Sequence, residues 1–344
     1  MTADPATEPA TATGSGTESA TESIDTRSPR GPVRLDLPAG VGPLTTRPLV
    51  RDDAAAVTSL MAACELQDVG EVLIEEADIV GDWQRPAFDL PTQSVGVLDG
   101  DRLVAYAEVY KGRWADAAVD PAYRGRGIGT ALSRWTRAVG ARDGGTVVGQ
   151  PVPGDSPGER LLSALGYRTL WTSWVLELPA GRAIEPQPVP EGYAIREPRD
   201  EADHRATWTV NEDAFLEWSE RERTTFEEWA ANVTKRPGYE PWQLRLMTDP
   251  TGEVVGMAFV VVSSGCAYVD KLAVRRDQRG KGLARALLVD AFEVARAHGG
   301  DRSELSTDSR TGALGLYEKV GMQVTSVWRH WAADVTPDPV ATQT

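Results

Sequence analysis

The stretch VRRDQRGKGLA, residues 274–284, decides how this chain is read. It sets Arg279, Gly282 and Ala284 in an Arg-x-x-Gly-x-(Gly/Ala) arrangement. An apolar run ends at Val274, and an amphipathic run continues through Leu283, Leu287, Ala291 and Val294. The same arrangement stands in VDPAYRGRGIG, residues 119–129, with Arg124, Gly127 and Gly129. Arg124 and Arg279 lie 155 residues apart, as do the landmarks Leu165-Gly166-Tyr167 and Val320-Gly321-Met322. One such loop arises by chance roughly once in every one or two chains of this length. Two loops with a second landmark at the same offset indicate an internal duplication.

The chain has 344 residues, 41% of them hydrophobic, which suits two domains that each bury a core. The net charge of −15 argues against a nucleic-acid or anionic-membrane surface, because phosphate contacts need clustered Lys and Arg. Two cysteines, Cys64 and Cys266, and three histidines, His204, His298 and His330, show no metal-ligand spacing, so no metal is expected. Residues 1–30 lack the apolar centre of a signal peptide, and no run approaches the ~18 apolar residues of a membrane span. A cytoplasmic monomer or homodimer is the expectation.

Composition and periodicity divide the chain. Residues 1–42 read as a disordered tail, 43–178 as a first domain, 179–192 as a proline-rich linker, 193–334 as a second domain and 335–344 as a tail. In the first domain a strand at 44–49 precedes a helix at 54–64. A hairpin at 94–98 and 103–110 turns on Asp99-Gly100, and a strand at 114–119 runs into the first glycine loop. A helix from Ile128 follows, then strand 146–148, helix 158–165 and strand 167–176. The order repeats after the linker: strand 193–196, helices 199–215 and 226–233, strands 244–247, 254–262 and 267–274. The second loop and its helix come next, then strand 305–307, helix 311–320 and strand 323–332. Each half is thus a mixed α/β layer.

A strand that ends in a glycine loop opening a helix points unpaired backbone N–H groups at one spot, where the helix dipole adds positive charge. Glycines also let the main chain approach a pyrophosphate closely. Arg279 and Lys281, like Arg124 and Arg126, put cationic side chains nearby. A dinucleotide fingerprint needs G-x-G-x-x-G early in a βαβ unit, and neither loop fits. A Walker loop needs Gly-Lys-(Ser/Thr), which Gly280-Lys281-Gly282 is not.

The element order, the two loops and the closing Leu316-Tyr317-Glu318-Lys319-Val320-Gly321-Met322 resemble the GNAT superfamily of acyltransferases, over roughly residues 44–178 and 193–334. The tandem arrangement is similar to the mycothiol synthase branch. The resemblance implies two tandem GNAT-like domains, each a mixed, mostly antiparallel sheet flanked by helices, and acetyl-CoA as co-substrate. The loop N–H groups would hold its pyrophosphate. The implied contact positions are Leu272, Ala273, Val274, Arg279, Gly280, Lys281, Gly282, Leu283 and Ala284. In the first half they are Ala117, Ala118, Val119, Arg124, Gly125, Arg126, Gly127, Ile128 and Gly129.

Acetyl transfer to an amine needs a base, an oxyanion donor and an acid for the leaving thiolate. The resemblance places the acid at Tyr317 and the oxyanion donor at the N–H of Ala273 or Val274. Strand alternation puts Tyr268 and Asp270 on one face. Asp270 is the expected base, although the family's usual carboxylate position falls on Tyr268, and a solvated or strand-capping role for Asp270 stands beside the catalytic one. Ser309 or Thr311 occupies the region where the family often has Asn. At the 155-residue offset Asp270 maps to Ala115, Tyr268 to Arg113 and Tyr317 to Leu162, so the first half is expected to bind acyl-CoA or to be structural rather than to catalyse. The acceptor is expected to be a small-molecule primary amine met by residues 202–233. Glu212, Asp213, Glu217, Glu220, Glu222, Glu227 and Glu228 there interleave with Trp208, Phe215, Trp218, Phe226 and Trp229. A solvated acidic helix face is the other reading of that pattern. Two functions compete with this one: a catalytically silent acyl-CoA sensor and a protein N-acetyltransferase.

Overall fold

The computed structural model describes residues 31–336 apart from Gln187 and Glu220; residues 1–30 of the expected tail and those from 337 onward lie outside this range. The first half contributes β1 (Thr45–Arg47), α1 (Ala54–Asp68), α2 (Glu76–Trp83), α3 (Leu90–Gln93), β2 (Ser94–Asp99), β3 (Arg102–Tyr110) and β4 (Trp114–Val119). It continues with α4 (Ile128–Arg142), β5 (Val147–Pro153), α5 (Pro157–Ala164) and β6 (Arg168–Glu177). The second half repeats the plan. Its elements are β7 (Ala194–Arg196), α6 (Glu201–Leu216), α7 (Phe226–Asn232), β8 (Leu244–Thr248), β9 (Val254–Ser263), β10 (Cys266–Val274), α8 (Leu283–Ala297), β11 (Arg302–Asp308), α9 (Leu314–Lys319) and β12 (Gln323–Asp334).

Local chemistry explains most of these boundaries. The Ser156 hydroxyl accepts the Glu159 N–H at the start of α5, and Pro157 supplies a first-turn residue that needs no N–H partner. Asp200 caps α6, and Thr225 with Glu228 forms a reciprocal cap on α7. Helix α2 has no counterpart in the sequence reading. It spans two turns around Gly81 and is held by tertiary packing, with Ile79 and Trp83 buried.

All described strands join one sheet in the order β1-β2-β3-β4-β5-β12-β6-β11-β10-β9-β8-β7. Among the described residues only β4–β5 and β10–β11 pair in parallel. The last strand of each half is seated in the other half's sheet: β12 lies between β5 and β6, and β6 lies between β12 and β11. The exchange keeps the duplication's register. Trp328 opposes Pro153, and 155 residues removed from each, Ser173 opposes Asp308. At the centre of this exchange His330 stacks on Trp171 with ring centres 3.9 Å apart, and Trp114 meets both rings edge-on.

Helices cover both faces. In the first half α1 and α2 pack on one face, around Leu60, Trp83 and Tyr106, and α4 on the other, around Leu132, Trp135 and Val109. In the second half α6 and α7 correspond to the former pair and α8 to the latter. Two stretches read as tail or linker are part of this packing. Leu35 and Val41 are buried against the α4 layer, and Trp135 Nε1–H donates to the Val33 carbonyl (2.9 Å). Ile184 is buried against the α8 layer, and Arg285 donates to the Glu185 carbonyl (2.6 Å).

Candidate active site

Each glycine loop opens its helix through a left-handed residue. Gly127 (φ 83°) precedes α4 and Gly282 (φ 80°) precedes α8, conformations that cost a side chain about 1–2 kcal/mol. The first-turn N–H groups of both helices therefore face outward without intrahelical partners. The loop arginines do different work from that expected of ligand-facing cations. Arg279 donates from Nε to the Val274 carbonyl (3.1 Å) and grips Glu217 with both terminal nitrogens at 2.8 Å. Arg124 repeats this on the Val119 carbonyl (3.1 Å) and on Asp68 (2.7 and 2.8 Å). Each arginine ties its loop to the end of its strand and to the helical layer behind it. Lys281 donates to Tyr193 (2.8 Å) and Gln278 (2.6 Å), and Arg126 donates to the Ala122 carbonyl (3.0 Å) while lying over the Tyr123 ring. What the loops leave for an anion is mainly backbone N–H, as glycine phosphate cradles do.

Beside each loop the sheet opens. Strands β10 and β11 pair from Cys266↔Arg302 to Val269↔Leu305 and then part; β4 and β5 pair only at Trp114↔Gly149. The ladder shows which donors face these gaps. Asp120 N–H reaches the Val104 carbonyl and Arg275 N–H reaches the Val255 carbonyl, so Val119–Ala105 and Val274–Gly256 are non-hydrogen-bonded pairs. Alternation then commits the N–H groups of Ala118 and Ala273 to the hairpin partner. Those of Ala117 and Val119, and of Leu272 and Val274, turn toward the gap. Of the two oxyanion donors expected from sequence, Val274 has its N–H there and Ala273 does not.

Asp270 sits on a β-bulge: Val269 opposes Val260 and Lys271 opposes Phe259, leaving Asp270 unpaired. The bulge corrects the simple offset. Counting along the paired strands from the loops, Lys271 corresponds to Asp116, Tyr268 to Trp114 rather than Arg113, and Asp270 to no residue of the first half. Asp270 and Tyr268 nonetheless line one cavity of 590 Å³, with Lys271, Glu304 and Ser306 beside them and Asp78 and Asp82 of α2 across the opening. Asp270 is ion-paired to Lys271, and the Tyr268 hydroxyl donates to Ser306 Oγ (2.8 Å). Burial, then the Asp270 charge, raises the Tyr268 pKa.

Tyr317 lies on the α8 side of the sheet, 8% exposed, in the core cluster that holds Val269, Leu283 and Leu305. Burial alone pushes its hydroxyl up to about 12. The structure does not bring Tyr317 into the cavity of Asp270 and Tyr268; the two lie on opposite sides of the opened sheet. Thr311 accepts the Ala313 N–H ahead of α9, and Ser309 Oγ accepts the Thr172 N–H (3.3 Å).

The acidic residues expected to meet an acceptor are largely spent on structure. Glu212 pairs with Arg221, Asp213 with Arg223, Glu217 with Arg279, and Glu228 accepts from Lys111 and Tyr110. Glu220 lies outside the described residues.

The first-half loop borders a cavity of 640 Å³. It runs from Gly125 and Gly127 through the β4–β5 gap to Asp116, and Ser133 and Tyr167 line it. Glu108 faces Asp116 across the β3–β4 ladder and accepts Trp83 Nε1–H (2.8 Å). Burial first, then the neighbouring carboxylate, lifts Glu108 to about 8; burial lifts Asp116 to about 6. Asp116 and Tyr167 do not fall at the positions that the 155-residue offset marks, which are Ala115 and Leu162. The visible signal was a lone acid in the apolar strand Trp114-Ala115-Asp116-Ala117-Ala118-Val119. Pro151 and Trp328 line both cavities.

A profile of the acetyltransferase (GNAT) family matches residues 58–150 and 204–322. The chain belongs to the GNAT family of N-acetyltransferases. It carries the GNAT domain twice in tandem, and GNAT acetyltransferases use acetyl-CoA. A mycothiol acetyltransferase of Salinispora arenicola is 31% identical over 74% of this chain and 82% of its own length. One of Nocardia farcinica is 29% identical over 84% and 97%. A GCN5-related N-acetyltransferase from Sphaerobacter thermophilus superposes with a TM-score of 0.67 at 29% identity, covering 88% of this GNAT chain and 98% of its own. A tandem GNAT protein from the clavulanic acid biosynthesis pathway shares the fold at 20% identity, with a TM-score of 0.66 over 86% and 99%. Among the described residues no helix is long and apolar enough to cross a membrane, and no group of His, Cys, Asp and Glu is arranged to hold a metal ion.

Proposed function

We propose that this protein transfers the acetyl group of acetyl-CoA to the primary amine of a small polar molecule, by direct attack in a ternary complex, with the chemistry in the second half. The observation that carries this reading is the 590 Å³ cavity at the β10–β11 parting. Its wall is rich in hydroxyl and carboxyl groups, among them Ser173, Ser263, Ser306, Tyr268 and Asp270. Such a wall suits a compact hydroxylated amine, and α2 narrows the approach for a protein chain. The similarity to enzymes named mycothiol acetyltransferases supports a small acceptor.

The residues fit acetyl-CoA. The Gly280 backbone is bare ahead of α8, with nothing within 4 Å of a Cβ built on it. Bound acetyl-CoA supplies the thioester. Asp270 accepts the proton of the incoming ammonium, and Lys271 must swing off it as the amine arrives. The Val274 N–H, with Leu272 N–H on the same edge, holds negative charge on the thioester carbonyl oxygen. Tyr317, still protonated at neutral pH with its pKa near 12, gives its proton to the departing sulfur from the opposite side of the opened sheet; the nitrogen sheds its second proton to solvent as the amide forms, and solvent reprotonates Tyr317.

Tyr317→Phe in the full chain tests this. Loss of a general acid is worth about 100-fold or more in turnover, read as free CoA released with a panel of amino sugars, polyamines and cysteine. Wild-type turnover in that variant with every amine removes Tyr317 from the mechanism. Tight acetyl-CoA binding by the wild type without turnover on any amine favours the acyl-CoA sensor.

A further inference from the structure

The first half carries its own set of groups for the same chemistry, at positions that the duplication offset does not mark. We propose that the cavity between α4, α5 and the β4–β5 gap is a second acetyl-transfer centre, in which Asp116 is the base and Tyr167 the acid, acting on a small amine.

Four observations converge on it. First, the cavity is continuous with the glycine loop and with the start of α4, a 15-residue helix, and its 640 Å³ is of the size that holds a cofactor arm. Second, the N–H groups of Ala117 and Val119 face the gap, the same two rungs that Leu272 and Val274 present in the other half. Third, Asp116 is the neighbour of Ala117 and lines the cavity, so a carboxylate stands one residue from an oxyanion donor. Its elevated pKa, near 6, suits a base that must release its proton again at neutral pH. Fourth, Tyr167 lines the same cavity. Its hydroxyl shares a hydrogen bond with Ser133 Oγ (2.8 Å), which also lines it and gives the proton a relay. Leu162 leaves the tyrosine position of the second half empty of chemistry, and Tyr167, just past the end of α5, replaces it. As in the second half, base and acid flank the sheet, Asp116 beside Glu108 on the α1–α2 side and Tyr167 beside Ser133 of α4 on the other; here one cavity passes through the β4–β5 gap and reaches both.

The step balances. The ammonium gives one proton to the Asp116 carboxylate, which passes it to solvent. The freed nitrogen forms its bond to the acetyl carbon as the carbon–sulfur bond breaks. Tyr167 protonates the leaving thiolate and regains its proton, through Ser133, from the nitrogen that becomes the amide. One amide, one CoA thiol and one proton result.

The test uses the full chain, acetyl-CoA and the same amine panel, with CoA release as the readout. Tyr317→Phe should keep measurable turnover on at least one amine, and adding Asp116→Asn or Tyr167→Phe should lower it about 100-fold or more. Tyr167→Phe deletes a single oxygen, so it stands in if Asp116→Asn lowers the thermal midpoint. If neither variant changes any rate, in the wild-type or the Tyr317→Phe background, the second centre is overturned while the Tyr317 reading survives. Sensitivity to Asp116 and Tyr167 alone supports it and moves the reaction out of the second half. Absence of turnover by the wild type on every amine overturns both.

Discussion

At the residue scale, the loop glycines were legible and the loop arginines were not. A left-handed residue ahead of a helix demands glycine whatever surrounds it, so Gly127 and Gly282 follow from the backbone alone. Gly282→Ala should cost about 1–2 kcal/mol in urea unfolding and raise the KM for acetyl-CoA, because the N–H groups of the first turn lose their aim. An unchanged KM would separate this loop from the co-substrate. The role of an arginine depends on which acid folds beside it, and Asp68 and Glu217 lie 56 and 62 residues upstream of Arg124 and Arg279. The carboxyl pair makes the same point. Glu108 reaches its raised pKa because folding buries it and β4 brings Asp116 alongside, against the Trp83 Nε1–H donation, which lowers it. A carboxyl near 8 when folded and near the ordinary value when unfolded binds more protons in the folded state. Folding stability should therefore fall as pH rises from about 4.5 to about 8. Glu108→Gln should flatten that decline, seen as urea midpoints at pH 5, 6.5 and 8; parallel curves for both proteins would refute the burial argument.

At the element scale, strands and long helices follow their periodicity closely, since β4 spans the residues that the pattern marks and α4 and α8 begin where their glycines end. What periodicity cannot show is a bulge. One extra residue at Asp270 breaks the alternation that seemed to pair it with Tyr268, and it slips the match between halves by one position. Helix α2 was invisible for a related reason: two turns around a glycine carry little signal, and burial of Ile79 and Trp83 holds it. The central strands β6 and β12 impose another condition that only their pairing creates. His330 is buried in the Trp171 stack, and burial first, then Arg310 and Arg113, lowers its pKa to about 3. A histidine held neutral when folded binds fewer protons there than in the unfolded chain, so stability should drop as pH falls from about 6.5 toward 3. His330→Phe should lessen that acid loss, measured as thermal midpoints between pH 7 and 4, provided the stack is kept.

At the scale of the whole molecule, the internal duplication, the family and the two glycine loops that open helices were determined by the sequence. Each rests on local requirements: a glycine at positive φ, a strand before it, an amphipathic helix after it, and the same spacing twice. The tertiary structure decided which groups share a space. It exchanged β6 and β12 between the halves, so that a chain cut at residue 178 would leave each half short of a strand. Those two strands lie side by side only in the folded chain, with Trp328 and Pro151 walling both cavities. It also set Asp116 and Tyr167, 51 residues apart in sequence, into one cavity. Motifs report what the backbone must do over a few residues. Proximity of a base, an acid and a donor is a property of long-range pairing, which the linear order does not contain.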